Sequence, residues 1–172
     1  MNASQPHKKL QRSTPNLMTA ALAITAMLGA SLLVGCIADD GSAGGFVGIV
    51  DGSDFSVVSG RAEMNGGELE IVLSDDFGDG CSGSTTLEPI GNRKIILTTA
   101  DPGEGTHNTN TDAQISIQIK NEGEVFTFRN AQGSFTLQTF EQFEGGLVEG
   151  TIDGTNSEGD DLNGDFFVQF CP

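Results

Sequence analysis

From residue 46 onward the apolar positions recur at every second residue, the period of a pleated strand whose side chains alternate between two faces. Leu69, Ile71 and Leu73 share one face, with Glu68 and Glu70 on the other. Ile115, Ile117 and Ile119 alternate with Gln114, Ser116, Gln118 and Lys120, the clearest half-buried strand in the chain. Phe126 and Phe128 alternate with Thr127 and Arg129; Phe166, Val168 and Phe170 alternate with Phe167, Gln169 and Cys171. The three-to-four-residue spacing of an amphipathic helix is hard to find anywhere in this part of the chain.

Turn residues separate the alternating runs. Asp51-Gly52, Asn65-Gly66-Gly67, Gly91-Asn92, Glu122-Gly123, Gln132-Gly133 and Gly145-Gly146 each lie between apolar stretches, where glycine readily supplies a positive φ. The pattern predicts strands near 46–50, 55–63, 68–74, 84–89, 94–99, 113–120, 124–129, 133–140, 146–152 and 162–170, with longer connections at 75–83, 100–112 and 153–161. Short links favour sequential antiparallel pairing. The expected fold is all-β, an antiparallel β-sandwich or an up-and-down β-barrel of about 8–10 strands. All 11 Phe lie beyond residue 45, and there is no Trp or Tyr, so the rings are expected to fill the core. A sugar-binding face of exposed Trp or Tyr is disfavoured for the same reason.

The first 35 residues have a different chemistry. Residues 1–16 are polar and carry His7, Lys8, Lys9 and Arg12 with no acidic residue; Leu17 to Val34 are apolar or small. A basic start, an apolar run and small residues before a cleavage point make a secretory signal. The run is also long enough for an uncleaved membrane anchor. It ends in Leu33-Val34-Gly35-Cys36, which resembles the lipobox of bacterial lipoproteins, where a branched apolar residue and a small residue precede an obligatory cysteine. That resemblance implies cleavage before Cys36, lipidation of its thiol and retention at a membrane through the acyl chains. Residues 1–35 are then the signal peptide, 36–45 an acidic, glycine-rich tether, and 46–172 one β-domain. Ile37, where an aspartate would imply inner-membrane retention in Gram-negative lipoproteins, points to the outer membrane. Asp39-Asp40 resembles an acidic surface-display signal, or is a solvated part of the tether.

Charge and cysteines sharpen the picture. After Cys36 the five basic residues Arg61, Arg93, Lys94, Lys120 and Arg129 face 24 acidic ones, a net charge of −19. Such a domain repels phosphate, which excludes nucleic acid as a partner and leaves the membrane reached through the lipid. Cys81 and Cys171 remain once Cys36 is set aside, and an even pair in an exported chain predicts a disulfide closing a long loop.

Candidate chemistry is sparse. His107, the sole histidine beyond the signal, lies in the polar run Asp101–Thr111 and reads as a solvated loop residue; a hydrolase using it would lack a nucleophile-elbow pattern. No catalytic residue and no cofactor is expected. Calcium is the one candidate ligand: Asp75, Asp76 and Asp79 in one glycine-containing segment, and Glu158, Asp160 and Asp161 in another, cluster oxygen donors, though without EF-hand spacing. Gly150-Thr151-Ile152 and Asn163-Gly164-Asp165-Phe166, with Val50-Asp51-Gly52 and Phe55, resemble the closing strands and first hairpin of small β-rich bacterial lipoproteins of unknown function. That family implies no catalytic residues. The expected role is that of a non-enzymatic, lipid-anchored envelope protein with a structural or interaction function. The alternative is a ligand-binding β-module for calcium or a small apolar molecule.

Overall fold

The computed structural model describes residues 43–76, 80–81, 92–121 and 126–172. The signal segment, Cys36, all of the tether before Ala43, Asp79 and the strand expected at 84–89 lie outside the described residues.

Alternation becomes strand wherever one face can be buried. The described residues form β1 (Gly44–Val50), β2 (Ser53–Ser56), β3 (Ser59–Asn65), β4 (Glu68–Ser74) and β5 (Arg93–Thr99). They continue as β6 (Gly105–Asn108), β7 (Ala113–Lys120), β8 (Phe126–Phe140), β9 (Leu147–Thr155) and β10 (Asp161–Phe170), with no helix among them. The sheet closes on itself. β3, β4, β5, β7, β8, β9 and β10 each pair with the next, and β10 returns to β3. Seven strands of alternating direction must meet with the first and last parallel, and β10 does run parallel to β3. That seam is short, pairing Gln169 with Arg61 and Phe170 with Ala62. It is extended by the Cys171 N–H, which donates to the Ala62 carbonyl at 2.7 Å.

The barrel is therefore the correct member of the two expected architectures. A ring this small leaves room inside only for side chains. Leu69, Ile71, Leu73, Ile95, Ile115 and Ile117 are fully buried, as their alternation predicts. Large and small residues interlock across the interior: Gly150 on β9 stands opposite Phe166 on β10, and a Cβ there would come within 3.1 Å of the ring.

Four expectations need correction. The strand expected at 55–63 is two strands, β2 and β3, because the chain leaves β1 at Val57–Val58 to join β4. The loop expected at 100–112 contains β6, which pairs with Ser134–Leu137 of β8. The hairpin expected at Gln132-Gly133 is absent, and β8 runs unbroken. Gly133, at φ 150°, is where its neighbour changes from β7 to β6, packed so closely on β9 that a side chain would collide with the Asp153 carbonyl.

The fourth correction concerns the rings. Phe55, Phe135, Phe166 and Phe170 are buried, but Phe46, Phe128, Phe143 and Phe167 are exposed. On β8 the phase is opposite to the one that apolarity suggests. Arg129 stands opposite Ile117 and so shares its inward face, while Phe128 stands opposite Gln118 on the outer face.

Candidate functional site

Two arginines organise one end of the barrel. There the β1–β2 hairpin folds toward the ends of β4 and β9 and the starts of β5 and β10. Arg93, the first residue of β5, spreads its donors over this hairpin. Its Nη1 donates to the carbonyls of Val50 at 2.7 Å and Ser53 at 3.2 Å, and its Nη2 to that of Asp54 at 2.8 Å. Its Nε pairs with Asp75 at 2.5 Å, its backbone N–H donates to the same carboxylate at 2.8 Å, and its guanidinium lies 5.6 Å from the Phe55 ring centre. A planar, five-donor fork is what lets one side chain hold three carbonyls and a carboxylate together.

Arg129 enters the same end from inside the barrel. Its Nη1 lies 3.2 Å from Asp160 Oδ1 and 3.3 Å from Oδ2, and its Nη2 donates to Asp51 at 2.7 Å. Asp160 is almost wholly buried. It also accepts from the Asp51 N–H and from the Asn156 amide, both at 2.7 Å. Burial pushes the Asp160 carboxyl up, but the Asp51 N–H, the Asn156 amide and Arg129 together outweigh it and hold it below the usual range. The same pairing, first with Asp51, raises Arg129 further. Asp51 itself takes a left-handed backbone, φ 52°, which turns its N–H onto Asp160.

This network decides what the acidic loops can do. Asp75 and Asp160, two of the six calcium candidates, are each engaged by an arginine. Glu158 is exposed and accepts from Ser157; Asp161 is exposed on β10, outward where Asp160 is buried. The Asp76 backbone carbonyl accepts from the Ser59 hydroxyl. Among the described residues no three His, Cys, Asp or Glu side chains converge on a point where a metal could sit. The five described candidates, Asp75, Asp76, Glu158, Asp160 and Asp161, are thus not brought together. Clustering in sequence put oxygens near one another along the chain, but two of them turn inward to internal cations.

His107 overturns its expectation as well. It is not solvated but 5% exposed on β6, its ring 5.1 Å from that of Phe135. Nε2 donates to the Gly103 carbonyl at 3.0 Å, since a carbonyl can only accept. Nδ1 lies 3.2 Å from both the Thr99 hydroxyl and Asp112. A Ser-His-Asp relay needs the hydroxyl and the carboxylate on different ring nitrogens. Here they share one, and the other is capped by backbone, so the arrangement is not that of such a relay, and the imidazole pins the 100–112 loop. Asp112 is held below the usual carboxylate range by the Thr111 hydroxyl, the Asn108 N–H and His107. An open groove of about 280 Å³ lies beside it, lined by Glu68, Thr98, Thr99, Thr111 and Gln114.

Cys81 and Cys171 are joined, their Cα atoms 5.3 Å apart, across a sequence separation of 90. The bridge fastens the segment after β4 to the last strand, beside the parallel seam.

The arginine network was missed at the level of sequence, although a signal was present. In a chain with five basic residues beyond Cys36, Arg129 occupies an alternating apolar run and Arg93 opens another. Comparison of the chain with family models, with curated proteins and with solved structures gave no match.

Proposed function

We propose that the protein is a lipid-anchored lipoprotein of a bacterial cell envelope, its barrel displayed on a short tether with a structural or interaction role and no catalytic activity. One observation carries this reading. Of three cysteines two are bonded to each other, leaving Cys36, the residue that ends the lipobox-like tetrapeptide, as the remaining thiol for acylation. A disulfide of this kind fits an oxidising compartment outside the cytoplasm. Ile37 favours the outer membrane as the site of anchoring.

Globomycin, which blocks the lipoprotein peptidase, should make the precursor accumulate, and Cys36→Ala should abolish incorporation of labelled palmitate. Unchanged processing and labelling would remove the anchor. The alternative, a ligand-binding module, is favoured by no feature of the interior among the described residues, which fill it with Phe135, Phe166 and the aliphatic residues around them. Its calcium form predicts a melting temperature that rises with calcium by mass action.

A further inference from the structure

Four of the exposed apolar side chains are gathered where the chain enters the barrel. Gly44, the first residue of β1, stands opposite Phe167 of β10. On the other side of β1, Phe46 pairs with Ser56, and the Val57 N–H donates to the Gly45 carbonyl, which brings Val58 beside the start of β1. Gly44 is thus flanked by Phe167 and Val58, with Phe46 two residues along the same outer face. The Phe167 ring lies over Gly44, where a Cβ would be 2.6 Å from its Cε1. Phe46 is 45% exposed, Phe167 39% and Val58 36%; Ile49, 41% exposed, continues the apolar row along β1. Polar side chains would be the ordinary occupants of a solvated outer face.

We infer that this patch rests on the surface of the bilayer to which the protein is anchored, its rings in the interfacial region of zwitterionic lipid. The inference rests on the lipid-anchor reading. Seven residues lie between Cys36 and Gly44, and the eight residue-to-residue steps from one to the other span at most about 28 Å when fully extended. The patch surrounds the point where that tether joins the domain, so no orientation of the barrel carries it far from the lipid.

Charge selects the kind of surface. β1, β2 and β10 contain no Lys or Arg, while Asp165 lies opposite Phe46 and Glu149 opposite Phe167. An anionic surface is repelled by these carboxylates and by the net charge of −19 beyond Cys36. A second copy of the chain would bring the same acidic rim against itself. Neutral headgroups carry no such opposition, and partial insertion of aromatic and aliphatic side chains is how interfacial segments hold to them.

The chain contains no Trp, so one introduced indole is a unique reporter. The lipidated protein would be reconstituted into phosphatidylcholine vesicles carrying Phe46→Trp, Phe167→Trp or, as a control on the exposed outer face of β7 across the barrel, Gln114→Trp. Lipid brominated near the headgroup end of its acyl chains should quench the first two at least about twofold and leave the third nearly unchanged. Equal quenching at all three positions, or none at any in protein that floats with the vesicles, overturns the docking while the anchor stands. Protein that does not float removes the anchor, and the docking with it. An indole shifted to the blue in proportion to protein density, yet insensitive to bromine, would assign the patch to a second copy and overturn the lipid reading.

Discussion

Replacing Arg129 by Met is the sharpest test of the arginine network. The substitution keeps most of the side-chain volume but withdraws the cation from Asp160, whose side chain is 1% exposed. Removing one partner of a buried ion pair costs about 3–5 kcal/mol, because the other charge is left without compensation. Asp160 retains the Asp51 N–H and the Asn156 amide, which places the expected loss at the low end, about 3 kcal/mol. For a domain of this size that lowers the melting temperature by roughly 10 °C. The pH dependence has a definite sign. In the native protein the Asp160 carboxyl sits below its ordinary value, so its contribution is complete above the unfolded value near 4 and is lost as pH falls through the native one. Without Arg129, burial pulls the carboxyl upward, so the variant is penalised most at neutral pH and recovers on acidification. Urea unfolding followed by circular dichroism at pH 7 and near pH 4.5 should therefore show the gap between the two proteins narrowing. Adding Asp160→Asn to the variant should restore about 1–2 kcal/mol at pH 7 by removing the stranded charge. A loss under about 1 kcal/mol, or a gap indifferent to pH, would refute the reasoning.

Other expectations follow from the same geometry. Arg93→Lys keeps the charge but cannot serve the Val50, Ser53 and Asp54 carbonyls together; a loss of about 1–3 kcal/mol with faster amide exchange confined to β1 and β2 is expected, and unchanged exchange there would contradict it. Replacing Cys81 and Cys171 together by Ser should cost about 4–5 kcal/mol in denaturant unfolding, the chain entropy released by opening a 90-residue loop; no measurable loss would show the bridge to be dispensable. Gly133→Ala should cost more than about 3 kcal/mol, since the new methyl meets the Asp153 carbonyl. Gly67→Ala, at φ 98° in open space, should cost only about 1 kcal/mol, and equal melting temperatures would contradict that ranking.

Much of the barrel can be read from period-two alternation, because a face that is buried along a whole strand leaves a repeating mark. Leu69-Ile71-Leu73 and Ile115-Ile117-Ile119 announced both their strands and their inward faces. Alternation fails where the identity of the buried face is set by a neighbour rather than by apolarity. Phe126-Thr127-Phe128-Arg129 has the right period and the wrong phase, since Arg129 is drawn inward by Asp160 and the phenylalanines are left outside. Gly133 looked like a turn because glycine permits both a reversal and a tight approach within a ladder, and only the Gly154 partner tells them apart. β6 is four residues long, too short for any period to register, and with it went the burial of His107. Internal cations likewise leave no local pattern in an acidic loop: Asp75 and Asp160 read as free oxygen donors until Arg93 and Arg129 arrive from 18 and 31 residues away.

The seam between β3 and β10 has a consequence for the order in which the molecule can be made. Residues 61–62 wait for residues 169–170, and Cys81 for Cys171, so a ribosome must have reached residue 171 before the ring can shut and be bridged. Until then the early strands have one edge unsatisfied and the bridge has no second thiol. A chain of this design stays threadable until residues 169–171 emerge, because the contacts that lock it need them. That is a useful property for any polypeptide that must pass through a narrow channel before it folds.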